Sequence, residues 1–172
     1  MQVLQKTKRN EQSSASPSRI FYYDTEIGEI TISEHGGKIT GLFFSRSHVP
    51  EKSAELMESE ILKETHAQLE AYFKGKLRKF SLPLAPRGTP FQERVWKALC
   101  DIPYGATASY SDIAAAVDNP KACRAVGNAN NRNPISIIIP CHRVIAKDGK
   151  LAGYGGGISI KEKLLKLEGA VF

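Results

Sequence analysis

Residues that fix a structure covalently or through metals are scarce in this chain of 172 residues. It has three cysteines, Cys100, Cys123 and Cys141, which is an odd number without a C-x-x-C pair. Neither a disulfide framework nor a cysteine-bound zinc site is indicated, and a reducing compartment is expected: the cytoplasm, or the nucleus in a eukaryote. The four histidines do not pair at helical ligand spacing, so we predict no metal.

Long apolar runs are also missing. The longest fall far short of the roughly 20 residues that a membrane helix needs, so we expect no membrane contact. Residues 1–18 hold basic side chains without the apolar block of a secretory signal, and their Gln, Ser and Lys content predicts a mobile tail. The glycine-rich stretch 153–157 lacks the Lys-Ser/Thr of a phosphate loop, and no GxGxxG motif is present, so no nucleotide cofactor is expected.

Charge is present in excess of one sign. The net charge is +6, with 41% hydrophobic and 24% charged residues, a composition typical of a soluble globular protein. Six basic side chains and a single acidic one, Asp148, lie between Asn119 and Lys150. A basic field of this kind favours a polyanionic partner such as nucleic acid.

Two units follow from the hydrophobic patterns. In the first, β-branched and aromatic runs separated by glycine turns predict an antiparallel meander, and helical periodicity over 52–74 predicts a helix packed on it. We interpret the apolar stripe of that helix, which includes Leu56 and Tyr72, as core without a catalytic role. The proline-containing stretch 81–88 predicts a linker. The expected division is an N-terminal α/β domain over 19–84 and a C-terminal domain over 85–172.

The second unit is mostly helical in pattern. Thr89 with Gln92, Ser109 with Asp112, and Ser159 with Glu162 each predict a capping box at a helix start. Asp148-Gly149 predicts the turn of a hairpin.

A further helix over 121–131 follows a break at Asp118-Asn119-Pro120, and two short helices so arranged predict a helix-turn-helix. Small residues dominate this second helix, and Arg124 is its long cation. Such a bare helix could approach DNA closely or pack against a neighbouring helix; we favour DNA.

The densest chemistry lies in Ile139-Pro140-Cys141-His142-Arg143-Val144. Pro140 lacks the N–H that a helix interior requires, so Cys141 is expected at a strand end or in a turn. A neighbouring base or cation lowers the pKa of a thiol and makes it a nucleophile, and His142 and Arg143 are suitable neighbours. Free cysteine is also among the most buried residue types, and the hexapeptide alone does not separate a nucleophile from an inert core residue.

Taken in order, the C-terminal motifs resemble the O6-alkylguanine-DNA alkyltransferases, the methylated-DNA–protein-cysteine methyltransferases. The resemblance covers nearly all of residues 89–169. The matching pieces are Phe91-Gln92, Val95-Trp96, Pro103-Tyr104-Gly105, Ser109-Tyr110, Asn119-Pro120, Arg124-Ala125-Val126-Gly127, Asn133-Pro134, the hexapeptide 139–144, Gly153-Tyr154, Lys161 and Glu168-Gly169.

The resemblance implies a fold and a partner. The fold is α+β: a small N-terminal antiparallel sheet with a helix, in a ribonuclease H-like layout, then a mostly helical domain with a winged helix-turn-helix. The implied partner is double-stranded DNA containing O6-alkylguanine, bound through the minor groove by a monomer without an obligate protein partner or cofactor. The implied DNA-binding residues are Arg124, Ala125, Gly127, Tyr110, Ser109 and Arg132.

The resemblance also implies a reaction. The damaged nucleotide is flipped out of the duplex, Arg124 takes its place, and Cys141 attacks the alkyl carbon once and irreversibly. His142 is implied to act on Cys141 through water, with Glu168 orienting it, and Asn133 to brace the turn. Tyr110 is implied to assist at the flipped nucleotide and to protonate the departing guanine. The implied substrate-binding residues are Val144, Arg143, Gly155, Gly156 and Tyr154.

Two alternatives belong to other classes. A non-catalytic alkyltransferase-like protein would bind the lesion without repairing it, but such proteins carry another residue at the position of Cys141. A cysteine hydrolase using Cys141 and His142 would turn over many times. The sequence departs from many relatives at Cys123, Asn128 and Gly155, where they often have other side chains.

Overall fold

The computed structural model describes residues 17–45 and 54–172, so most of the predicted tail lies outside the described residues. Three antiparallel strands form the expected meander: β1 (Arg19–Thr25), β2 (Gly28–His35) and β3 (Lys38–Phe44). A two-residue strand, β4 (Glu55–Leu56), runs parallel to β1, and the sheet order is β3-β2-β1-β4. The central strand β2 is almost wholly buried, which fits its Ile-Thr-Ile sequence.

Helix α1 (Glu60–Phe73) packs on this sheet through Leu62, Leu69 and Tyr72. The prediction of a helix from residue 52 was wrong at its start. Leu56, which was assigned to the apolar stripe, is 64% exposed, because its backbone pairs with β1 instead of forming the first helical turn. Strand pairing across the sheet therefore overrides the local helical period there.

The C-terminal part is mostly helical. Its elements are α2 (Pro90–Cys100), β5 (Ala108–Ser109), α3 (Tyr110–Ala116), α4 (Cys123–Asn131), a 3₁₀ turn (Cys141–Arg143), β6 (Val144–Ile145) and α5 (Ile158–Leu167). Among the described residues the α+β class is confirmed, and no helix is long and apolar enough to cross a membrane.

Local signals were confirmed at two of the three predicted capping boxes, those of Thr89 with Gln92 and Ser109 with Asp112. The third was wrong: α5 starts after Gly157, whose φ of +88° suits glycine, and no side chain caps it. The turn at Gly149 forms, with a bond from Ala146 N to Lys150 O of 3.0 Å. The predicted hairpin does not form, since residues 150–157 contain no strand, and β6 pairs in parallel with β5.

The two parts share one apolar core. Backbone bonds join them, from Ala85 N to Ile39 O and from Leu42 N to Pro134 O, both 2.8 Å. Tyr72 of α1 is buried among residues of both parts, and the core contains side chains from the sheet, α1, α2 and α5. The division of the chain after residue 84 stays a prediction.

Candidate active site

Cys141 lies at the bottom of a cavity between the two parts of the chain. The buried isoleucine run before it ends at Pro140, and a 3₁₀ turn begins at Cys141 itself. The cavity has a volume of about 650 Å³ and receives Leu42 and Phe44 from β3, Asn130 from the end of α4, and Gly155 from the loop before α5. Cys141 lines this cavity and is only 6% exposed.

Asn133 fixes the turn that carries this thiol. Its Nδ2 donates to the carbonyl oxygen of Ile139 at 2.8 Å and to Cys141 Sγ at 3.1 Å, and its Oδ1 accepts from Ile135 N at 3.0 Å. A donor aimed at the sulfur stabilises the thiolate relative to the thiol. The geometry therefore gives Asn133 two roles, holding the backbone and polarising the sulfur.

A buried ionic cluster lies behind the thiol. His142 Nε2 lies 2.8 Å from Glu168 Oε1, and both side chains are fully buried. Among the described residues His142 Nδ1 has no hydrogen-bond partner, which leaves it available as a proton acceptor. This is the arrangement of a base oriented by a carboxylate, with Glu168 holding the imidazole through Nε2.

Arg143 completes the cluster and does not face the cavity. Its Nε and Nη2 donate to the two oxygens of Glu168 at 2.9 and 3.0 Å, and its Nη1 donates to Ile102 O. We therefore correct the predicted substrate-binding role: the guanidinium is committed to a two-pronged contact with the carboxylate, a geometry that fixes both partners.

The environment shifts the pKa values of the cluster. Burial alone would raise the pKa of Glu168, but hydrogen bonds from His142 and Arg143 outweigh it and lower the pKa to about 2. Burial lowers the pKa of His142 below its usual 6.5, although Glu168 opposes this. Burial also raises the pKa of Cys141, opposed by the bond from Asn133 and by the charge of Lys161. Both directions favour a protonated thiol and a neutral His142 before substrate binds.

Lys161 is a site residue that the sequence reasoning assigned no role. It is completely buried, and its Nζ donates to Val144 O at 2.6 Å and to Ala152 O at 2.9 Å. Burial lowers its pKa to about 8, and the nearby Cys141 opposes that shift. The sequence contains a pattern that predicts this burial. Helical spacing puts Lys161 and Glu168 on the same face of α5 as the core residues Leu164 and Leu165.

The predicted DNA-binding residues lie on α3 and α4 or directly next to these helices. Arg124 and Ala125 are exposed on α4, and the ring of Tyr110 lies over Gly127, where an added Cβ would be 3.8 Å from it. Burial and the nearby Cys141 raise the pKa of Tyr110, which is half-buried. The hydroxyl of Ser109 is engaged with Ser111 and Asp112 at the start of α3. Arg132 is exposed and lines the cavity.

Of the predicted substrate-binding residues, Gly155 lines the cavity, and Val144, Tyr154 and Gly156 are not part of its lining. An added Cβ at Gly155 would meet open space, whereas one at Gly156 would come within 3.0 Å of the Phe44 ring. Tyr154 packs edge-on against His142, with ring centroids 6.4 Å apart. The carbonyl oxygen of Val144 accepts from Lys161, which occupies one of its two lone pairs.

Known protein families match both parts of this geometry. Residues 90–170 match the DNA-binding domain of 6-O-methylguanine DNA methyltransferase, and residues 19–86 match its ribonuclease-like domain. The chain belongs to the 6-O-methylguanine DNA methyltransferase family. The resemblance read from the motifs and the α+β fold are thereby confirmed.

Relatives of this family extend over nearly the whole chain. A methylated-DNA–protein-cysteine methyltransferase of Methanosarcina barkeri is 52% identical over 152 residues, covering 86% of this chain and 96% of the relative. One from Mycobacterium leprae is 49% identical over 146 residues, covering 84% and 88%. The activity of the family, methyl transfer from DNA to a protein cysteine in DNA repair, is accordingly the activity of this chain.

Solved structures of relatives have the same architecture. A Mycobacterium tuberculosis O6-methylguanine methyltransferase superposes with a TM-score of 0.82 at 46% identity, covering 88% of this chain and 93% of its own. A structure of the Mycobacterium tuberculosis protein OGT in complex with DNA gives a TM-score of 0.77 at 48% identity, covering 88% and 92%.

Proposed function

We propose that this methyltransferase repairs O6-alkylguanine in duplex DNA, that Cys141 is the accepting cysteine, and that each molecule acts once. The observation that carries the assignment is the position of the thiol: Cys141 opens onto the cavity, receives a hydrogen bond from Asn133, and lies beside His142 with its free Nδ1. Neither Cys100 nor Cys123 lines this cavity: Cys100 is exposed, and Cys123 is half-buried and donates its thiol to Pro120 O at 3.9 Å.

The proton of Cys141 moves first. His142 Nδ1 accepts it through a bridging water molecule, because the described residues show no direct bond between Nδ1 and Sγ. Glu168, which contacts Nε2, stabilises the imidazolium that forms when Nδ1 is protonated, and the ammonium of Lys161 favours the thiolate. A low pKa keeps Glu168 ionised, so the carboxylate holds the ring without taking the proton itself.

The thiolate then displaces guanine. Sγ attacks the alkyl carbon while the bond between that carbon and O6 breaks, and the electron pair leaves with the base. The Tyr110 hydroxyl donates a proton to the departing guanine and regains one from solvent. The product is a thioether, which has no easy hydrolytic exit, so the cysteine is consumed.

Access to the base requires flipping, because a protein thiol cannot reach the alkyl carbon inside the stack. The exposed face of α4 supports this step. Its small residues allow close approach to the minor groove, and Arg124 is the long side chain placed to fill the gap left by the flipped nucleotide. Arg132 and Gly155 line the cavity, where Arg132 can contact phosphate and the backbone of Gly155 can contact the base. We further propose that the protein acts as a cytoplasmic monomer.

The test is substitution of the thiol. Cys141→Ser should leave methyl groups on an O6-methylguanine duplex while binding that duplex as tightly as the wild type, measured by lesion content and by fluorescence anisotropy. Cys100→Ser is the matched control and should repair normally. Repair by Cys141→Ser, or loss of repair in Cys100→Ser alone, would contradict the assignment of the accepting cysteine.

A further inference from the structure

One tyrosine of the N-terminal part enters the catalytic cluster. Tyr72 lies on α1, is completely buried, and donates its hydroxyl to Glu168 Oε1 at 2.7 Å. The same hydroxyl lies 3.5 Å from His142 Nε2. We propose that Tyr72 is a positioning residue for alkyl transfer, through which the N-terminal part sets the proton affinity of His142.

The carboxylate of Glu168 is the intermediary. Oε1 accepts from Tyr72, His142 and Arg143, and Oε2 accepts from Arg143 and from the backbone N of Gly105. Each donor withdraws charge from the carboxylate, so each weakens the pull of Glu168 on the imidazolium proton. Tyr72 is the donor among these that comes from α1, since the others belong to the C-terminal part.

Removal of the Tyr72 hydroxyl should change the pKa of His142 in one direction. With one donor fewer, the negative charge of Glu168 concentrates toward His142 and the imidazolium is stabilised. The pKa of His142, which burial lowers in the native protein, therefore rises. The groups that face this pair or act on it are Cys141, Arg143, Lys161, Tyr104, Tyr154 and Tyr72 itself. All but the last are unchanged in Tyr72→Phe.

A matched pair lies elsewhere in the same part of the chain. Tyr23 is also buried, and its hydroxyl donates to the Glu58 carboxylate at 2.9 Å. Tyr23→Phe removes the same group from the same kind of bond, without any contact to His142 or Glu168. It therefore reports what the loss of one buried tyrosine hydroxyl does to the N-terminal part alone.

This inference rests on the proposed role of His142 as the base, and the experiment separates the two. The rate of methyl transfer from an O6-methylguanine duplex is measured under single-turnover conditions from acid to alkaline pH, for the wild type, Tyr72→Phe and Tyr23→Phe. Loss of one charge-assisted hydrogen bond corresponds to about one pKa unit. The acid limb of Tyr72→Phe should accordingly move to higher pH by up to about one unit, with an alkaline plateau equal to that of the wild type.

The positions of the acid limbs in the three proteins test the role of Tyr72. A raised acid limb in Tyr72→Phe with an unmoved limb in Tyr23→Phe supports the inference. An acid limb that coincides in all three proteins, or a plateau lowered without any shift, overturns it and reduces Tyr72 to a packing residue. Absence of transfer by the wild-type protein would instead refute the proposed function. The chemical shift of His142 across the same titration gives an independent reading of its pKa.

Discussion

The two sides of Cys141 are built in opposite ways. Behind the thiol, His142, Arg143, Lys161 and Glu168 are buried and every charge has a named partner. In front of it, α4 presents Arg124, Ala125 and Asn128 to solvent with small side chains between them. The buried side is fixed before substrate arrives, whereas the exposed side acquires its partners only from DNA. Changes behind the thiol should cost stability and chemistry together, and changes in front should cost chemistry alone.

The largest effect is expected behind the thiol, from Glu168→Gln. The amide cannot accept from Arg143 as an ion, so a guanidinium is left buried beside a neutral group. Breaking a buried ion pair typically costs about 3–5 kcal/mol. We expect a loss of that order in the free energy of unfolding, measured by urea denaturation, together with a slower transfer.

Glu162→Gln is the control on the same helix. The Glu162 side chain is 43% exposed and lies 2.6 Å from Lys166 Nζ, and a surface pair of this kind contributes about 0–1 kcal/mol. Equal losses of unfolding free energy in Glu168→Gln and Glu162→Gln would contradict the expected difference between buried and exposed charges.

A smaller effect, confined to activity, is expected in front of the thiol from Arg124→Ala. Flipping a nucleotide costs a few kcal/mol, so loss of the side chain that fills the gap should slow transfer from duplex DNA by roughly 10- to 100-fold. On a single-stranded methylated oligonucleotide, where no base pair is opened, the deficit should shrink. The free energy of unfolding should not change, because the side chain is exposed.

Lys97→Ala removes the same charge from the exposed side of α2 and serves as control. An equal loss on duplex and single-stranded substrate would show that Arg124 contributes general attraction to phosphate and not flipping.

Elements with a local cause could be predicted from the sequence, and elements decided by distant residues could not. Patterns with a local cause were read correctly: the meander, the capping boxes at Thr89 and Ser109, and the small-residue helix α4. The start of α1 and the partner of β6 were predicted wrongly. Each depends on pairing with a strand that is distant in sequence, β1 in the first case and β5 in the second.

In the site, local sequence identified Cys141 and His142 as reactive neighbours, and the resemblance supplied Asn133 and Glu168. The resemblance also implied a substrate-binding role for Arg143, and only the fold shows its guanidinium bound to Glu168. Tyr72 was assigned to ordinary core, which its burial fits. Its hydroxyl meets Glu168 from 96 residues away in the chain, and no local pattern encodes that contact.

Methyl transfer from DNA should end on the sulfur of Cys141. Mass spectrometry of the protein after incubation with an excess of O6-methylguanine duplex tests this transfer most directly. The intact protein should gain one methyl group and no more, and the modified peptide should place it on Cys141. A mass that does not change while the DNA is repaired, or a methyl group on Cys100 or Cys123, would contradict it.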